Sequence, residues 1–233
     1  MNLRKLALAP IAAAVMAFSM PASAATSGTW ILNTWGGSGP GDPGYINPGT
    51  GPWGQVAANV VNANDVSVTV TLYTPAPAVG FVNTGNGDHS AFTFSLSDTT
   101  GVTILGLNPV NFVAGPNPAT NPAFGTFTNG ITCVSCGSGA TSPYTGPLSF
   151  TIHDAGGINQ DVNSLFVQST LPPGSMRSFF AADIFTSTGA TGTVGVTAAI
   201  PEPETYAMML VGFGLLGFVA RRRKQSLGSL ATA

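Results

Sequence analysis

The sequence predicts an all-β domain, an antiparallel β-sandwich or jelly roll, carried between two apolar terminal segments. Three observations predict it: several short segments alternate apolar and polar residues, the stretches between them are rich in Gly, Pro, Ser, Thr and Asn, and no repeat of fixed period runs through the chain. Alternation with period two places one side of a strand on a core and the other in water. Frequent turn formers cut the chain into many short strands, and the lack of a repeat argues against a solenoid.

The clearest strand is Asp65–Tyr73, where Val66, Val68, Val70 and Leu72 fall on one face and Ser67, Thr69, Thr71 and Tyr73 on the other. Phe92, Phe94 and Leu96 alternate with Thr93, Ser95 and Ser97, and Leu148, Phe150 and Ile152 with Ser149, Thr151 and His153. β-Branched and aromatic residues at these positions suit half-buried strands. Thr29–Thr34, Val102–Leu105, Leu165–Ser169, Arg177–Phe185 and Thr193–Ala198 are further strand candidates, and Gln55–Ala63 is the one short helix candidate. Gly36–Pro52 and Gly115–Pro122, crowded with glycine, proline or asparagine, read as long loops outside the core.

Charge is sparse, at 7% of 233 residues, and uneven. Six of the seven basic residues lie near the ends; between them stands only Arg177, against Asp42, Asp65, Asp88, Asp98, Asp154, Asp161 and Asp183. Such a surface repels phosphate backbones and, with one cation, lacks the basic side chains that displace their counterions, so nucleic acid is set aside as a partner.

Residues 1–24 have the form of a secretory signal peptide. Arg4 and Lys5 supply the positive start, Leu6 to Met20 the apolar stretch, and Ala22-Ser23-Ala24 a small-residue cleavage site, with cleavage expected between Ala24 and Ala25. At the other end, Pro201-Glu202-Pro203-Glu204 is followed by an uncharged run from Thr205 to Ala220, then by Arg221-Arg222-Arg223-Lys224 and a short polar tail. As a helix that run is about 24 Å long, slightly under a full bilayer span. Apolar residues lie all round it, unlike an amphipathic surface helix. Gly212, Gly214 and Gly217 would admit a neighbouring helix closely. Four cations after the run hold that end in the cytoplasm by the positive-inside rule, which places the preceding domain in the periplasm. Pro201 and Pro203 disfavour helix and keep the entry to the span extended.

A proline-glutamate-proline motif, a short glycine-interrupted apolar helix and a terminal Arg/Lys cluster, here within about Ala199 to Lys224, resemble the PEP-CTERM sorting signal of Gram-negative bacteria. The same segment is also labelled an ice-binding protein C-terminal domain, a name that describes the tail. The resemblance implies recognition of Pro201, Glu202 and Pro203 by an exosortase, a membrane-embedded cysteine transpeptidase, and association with exopolysaccharide and biofilm. Residues 133–137, 146–151 and 180–184 also resemble stretches of PEP-CTERM proteins whose exported domain has no assigned activity.

Little in the sequence points to catalysis. Cys133 and Cys136 form a CxxC with no second ligand pair for zinc, no histidine after the second cysteine for haem attachment, and no βαβ context for a thioredoxin-like site. In an oxidising compartment they are expected to form a structural disulfide. Asp88-His89-Ser90 holds the three residue types of a triad, but neighbours in one extended segment point alternately and cannot bond in series. His153-Asp154 lacks a nucleophile elbow elsewhere in the chain. Residues 83–88 and 159–163 offer oxygen-rich turns for calcium without matching a known loop. Ice binding would need a regular threonine array, and the chain has no repeat to build one.

The sequence thus divides into a signal peptide (1–24), an exported β-domain (25–198), a sorting signal (199–224) with a membrane helix at about 205–220, and a cytoplasmic tail (225–233). It reads as a non-enzymatic surface or matrix protein without cofactor or metal. Its partners are an exosortase, the inner membrane as precursor, and exopolysaccharide. Two alternatives are a carbohydrate-binding module using Trp30, Trp35, Trp53 and Tyr45, and a hydrolase assembled around His89 or His153.

Overall fold

The computed structural model describes residues 24–36, 51–73, 79–83, 90–121, 123–137, 142–170, 176–186, 189, 191–196, 209–210, 212–214 and 216. In chain order these hold β1 (Ser27–Leu32), β2 (Thr34–Trp35), β3 (Gly54–Val60), β4 (Asp65–Leu72), β5 (Val79–Phe81), β6 (Phe92–Leu96), β7 (Val102–Asn108) and β8 (Phe112–Ala114). They continue with β9 (Ala119–Asn121), β10 (Gly125–Phe127), β11 (Asn129–Cys133), β12 (Leu148–Asp154), a single helical turn α1 (Val162–Leu165), β13 (Phe166–Val167), β14 (Phe180–Thr186) and β15 (Thr191–Gly195). Every pairing among them is antiparallel.

One sheet has the order β1-β3-β4-β12-β7. The other has β2-β15-β14-β6-β11-β8, with β13 also on β6 and β5 on β14. The alternating segments are the inner strands. Val66, Val68, Val70 and Leu72 of β4 are buried, and so are Leu148, Phe150 and Ile152 of β12. Their registers, Val70 opposite Leu148 and Val66 opposite Ile152, bring the two apolar rows side by side on one face. Each such side chain removed from water contributes roughly 1.5–3 kcal/mol.

The rows meet residues of the second sheet in a common core. Phe150 lies 5.4 Å from Phe94 and 6.2 Å from Phe92, and Trp30 lies 5.1 Å from Phe180 and 5.3 Å from Phe166. These centroid separations fall in the range at which aromatic rings attract beyond simple burial.

Four expectations are corrected. Gln55–Ala63 is not helical: residues 54–60 form β3, with Val56 and Ala58 buried and Asn59 exposed. Its local pattern is ambiguous, and pairing on both sides decides it, Val56 lying opposite Trp30 of β1 and Val70 of β4. β3 can begin only with glycine, because a Cβ on Gly54 would come within 2.6 Å of the Thr71 carbonyl.

Leu165 closes α1, and only Phe166 and Val167 of the expected Leu165–Ser169 strand pair, with Leu96 and Ser95. The Gly115–Pro122 segment is not simply loop: Ala119–Asn121 pairs with Gly125–Phe127 as a two-stranded ribbon, and Ala119 and Asn121 are buried.

The ribbon bears on the fourth correction, at β6, where all five residues are buried rather than every second one. Phe124 and Phe127, from the turn and second strand of the ribbon, pack with Ala181 of β14 in a separate small cluster. With its outward side covered as well, β6 satisfies its polar groups internally: Thr93 Oγ1 donates to the Ala181 carbonyl (3.4 Å) and Ser95 Oγ accepts from the Thr128 N–H (3.3 Å).

Candidate functional site

The residues expected to govern export lie at the two ends of this domain. Ala22, the Pro201-Glu202-Pro203 motif and the Arg221–Lys224 cluster fall outside the described residues. Ala24 is exposed. Ala25 is half-buried, packs its methyl group against the core and lies one residue from Thr26, whose carbonyl accepts from the Val60 N–H at 2.8 Å. The Ala25 carbonyl accepts from the Val162 N–H (2.9 Å), and the Ala25 N–H donates to Asp161 Oδ1 (3.3 Å). Ala25, at the junction where cleavage is expected, is therefore already held by the β-domain.

Toward the other end, β15 lies inside its sheet, between β2 and β14. Val196 follows it as a fully buried residue. It donates to the Phe180 carbonyl (3.0 Å) and accepts from the Phe179 N–H (2.9 Å). Ser178 locks this corner: its hydroxyl accepts from the Val196 N–H at 2.8 Å and lies within donating distance of the Phe180 (2.6 Å) and Val196 (2.8 Å) carbonyls. Residues 209–210, 212–214 and 216 are helical, and Met209, Leu210, Phe213 and Leu216 are each at least half exposed. Apolar side chains of that size are thus left unburied by the β-domain. Most of the 205–220 segment lies outside the described residues, and among the described ones no helix is long and apolar enough to cross a membrane.

Cys133 and Cys136 are bonded to each other at the end of β11, with a Cα separation of 5.3 Å. Both are buried, and the segment between them turns back on itself, the Cys136 N–H reaching Cys133 Sγ at 3.1 Å. Asn83 donates to the carbonyls of both cysteines, and the Asn111 carbonyl accepts from the Val134 N–H (2.8 Å). Residues 133–137 hold no helix, so neither sulfur sits at a helix N-terminus that would favour a thiolate. The arrangement is that of a pinned turn.

His153 and Asp65 face each other across β12 and β4, with Nδ1 2.7 Å from Asp65 Oδ1. Asn62 donates to the other carboxylate oxygen at 2.7 Å. The Asn62 hydrogen bond first, and the His153 contact second, hold the Asp65 carboxyl below the ordinary carboxylate range. A hydrolytic site would also need a serine on the other side of the ring. Among the described residues no serine hydroxyl bonds to His153, and His89 lies outside them.

The remaining described aspartates serve mainly the backbone. Asp98 accepts from the Thr100 N–H, which with the Thr100 hydroxyl lowers its pKa; Asp154 accepts from Gly156, and Asp161 from Asn163. Asp161 also accepts from the Ser164 hydroxyl at 2.6 Å, and the Asn159 side chain accepts from the Asp161 N–H, so the oxygens of the 159–163 turn are engaged locally. The 83–88 turn lies outside the described residues beyond Asn83. Among the described residues no three metal-ligating side chains converge. Asp183 departs from the pattern: it is a buried residue within β14, opposite Thr193, and a lone aspartate in an apolar sequence gave no sign that it would be inside.

The aromatic residues considered for sugar binding are mostly interior. Trp30 and Trp53 are core residues, 1% and 5% exposed, Trp35 is half-buried against Trp53, and Tyr45 lies outside the described residues. A buried indole offers no face for a sugar to stack on. A shallow groove of about 380 Å³ is lined by Thr99, Val102, Asn117, Pro118, Thr128 and Asn129. Its polar groups are largely engaged in the scaffold: Asn117 accepts from the Gly130 N–H, and Thr128 bridges the Leu96 N–H and Asn129. None of its lining groups titrates near neutral pH.

Residues 199–224 match the sequence model of the PEP-CTERM protein-sorting motif. No curated protein and no solved structure matches the chain.

Proposed function

Because the chain carries a PEP-CTERM protein-sorting motif at residues 199–224, and is thereby marked for export and exosortase processing, we propose that it is a non-enzymatic protein of the Gram-negative cell surface or extracellular matrix. On this reading the first 24 residues direct secretion. The 205–220 helix holds the precursor in the inner membrane, and the Arg221–Lys224 cluster keeps its end in the cytoplasm. The two antiparallel sheets, joined through Phe94, Phe150, Trp30 and Phe180, form the exported β-sandwich. Exopolysaccharide is the partner such a domain would meet at its destination.

The observation that carries the reading is the spacing at the C-terminal boundary. The motif starts three residues beyond Val196, which is buried and hydrogen-bonded to both Phe179 and Phe180. Processing at Pro201–Pro203 therefore falls beyond β15 and beyond Val196, the last described residue of the β-domain. The exposed Met209, Leu210, Phe213 and Leu216 are available to lipid.

Deleting residues 201–233 tests this. The truncated protein should lose its normal surface location while melting within about 2 °C of the full-length protein, since β15 and the buried Val196 are kept. A truncated protein that reaches the surface as before would refute the sorting role. One that no longer melts cooperatively would show that the tail belongs to the fold.

A further inference from the structure

The N-terminal boundary is built differently from the C-terminal one, and it carries a chemical consequence. Ala25 is tied down through its nitrogen, carbonyl and methyl group at once. The nitrogen points at Asp161, 136 positions away in the chain. That carboxylate is already held in place: Oδ1 accepts from the Asn163 N–H (3.1 Å), Oδ2 from the Ser164 hydroxyl (2.6 Å), and the Asp161 N–H donates to Asn159 (2.9 Å). Among the described residues no cationic side chain pairs with Asp161; the single ion pair there is His153 with Asp65.

Cations are scarce on this domain. Between residues 25 and 198 the only lysine or arginine is Arg177, which is exposed. Hydrolysis of the Ala24–Ala25 amide consumes one water, leaves a carboxylate on Ala24 and an amine on Ala25, and the amine takes up a proton at neutral pH because its pKa is about 8. A new positive charge would then appear at the atom 3.3 Å from a fixed carboxylate oxygen.

We propose that Asp161 is the receptor for the α-ammonium group of Ala25, so that removal of the leader turns a hydrogen bond from a neutral amide into an ion pair and tightens the exported fold. The proposal rests on the reading that cleavage falls between Ala24 and Ala25. It assigns Asp161 a role beyond starting α1: it discriminates the processed chain from the unprocessed one. An amide has one hydrogen to offer. An ammonium has three, and charge-assisted bonds are stronger and shorter than the contact in the uncut chain.

The chain itself provides a clean probe. Once residues 1–24 are gone, the only amines left are the Ala25 α-amine and Lys224. Protein exported by cells expressing the full-length chain would be N-terminally sequenced. It would then be either acetylated, which removes the charge, or reductively dimethylated, which keeps it. Acetylation should raise the unfolding equilibrium constant about threefold over the dimethylated protein, in keeping with a part-exposed ion pair. In Asp161→Asn, which keeps an oxygen for the Asn163 N–H, the two modifications should be equivalent, and this also controls for Lys224.

The same threefold effect in Asp161→Asn, or none in the native sequence, would overturn the proposal. Should that variant fail to fold, salt decides: at 1 M NaCl, where the Debye length is about 3 Å, the gap between the modified proteins should close, and a gap that persists refutes the ion pair. An exported chain starting anywhere but Ala25 would overturn the cleavage reading and the proposal together. A start at Ala25 with no effect of acetylation would overturn the proposal alone.

Discussion

Phe150 of β12 stacks on Phe94 of β6 with ring centroids 5.4 Å apart and an interplanar angle of 27°. The two residues belong to different sheets, so this contact, with Phe150 against Phe92 at 6.2 Å, joins the two halves of the domain. Cross-sheet aromatic contacts of this kind keep one core from separating into two partly wetted surfaces.

Phe150→Ala should therefore be among the most damaging single changes. Phe150 is 3% exposed, and its ring is bounded by other rigid rings that cannot collapse far into the space left behind. The expected loss is about 3 to 5 kcal/mol, read as a lower urea midpoint with an unchanged slope. A loss under about 1 kcal/mol would mean that the sheets do not depend on this contact.

The parts of the fold legible in the sequence are those where local pattern and tertiary role agree. β4 and β12 bury every second residue because each has one face on the core and one in water, and Val66 to Leu72 and Leu148 to Ile152 show it directly. β3 was illegible because Gln55, Ala57 and Asn59 are weak strand formers; its state follows from being paired on both sides, information held in β1 and β4. The β9–β10 ribbon was illegible for a different reason. Its strands are three residues long, too short for a period to show, and prolines at 116 and 118 imitate an ordinary loop.

The C-terminal sorting motif was readable because such a signal is defined by composition and order alone, with no partner needed to complete it. The role of Asp161 was not. Nothing near it in sequence announces Ala25, and only folding brings the two together.

Asp65 should make stability depend on acid pH. Its carboxyl is held below the usual range by Asn62 and His153, so the folded chain favours the ionised form more than the unfolded chain does. The stabilisation is complete above the unfolded carboxylate value of about 4 and is lost as pH falls through the lower, folded value. Native protein should out-melt Asp65→Asn by its widest margin above that range, and the margin should shrink below about pH 4. Thermal melts of both proteins between pH 7 and pH 2.5 measure it, and a margin that widens toward acid would show the opposite linkage.

The Cys133–Cys136 bridge closes a very short loop, so the chain entropy it removes from the unfolded state is small, about 2 kcal/mol. Asn83 independently fastens the same turn by donating to the carbonyls of both cysteines, and the Asn111 carbonyl accepts from Val134 between them. Two fastenings on one turn should couple. With the bridge intact the turn stays in place without Asn83, and with Asn83 intact it stays near its position without the bridge. Losing both leaves Asn111 to hold it. Cys133→Ala with Cys136→Ala should therefore cost about 2 kcal/mol, Asn83→Ala about 1 kcal/mol, and all three together more than the sum by at least about 0.5 kcal/mol. Urea titrations of the three variants give the coupling directly. Strict additivity would show that Asn83 and the disulfide hold separate pieces of structure.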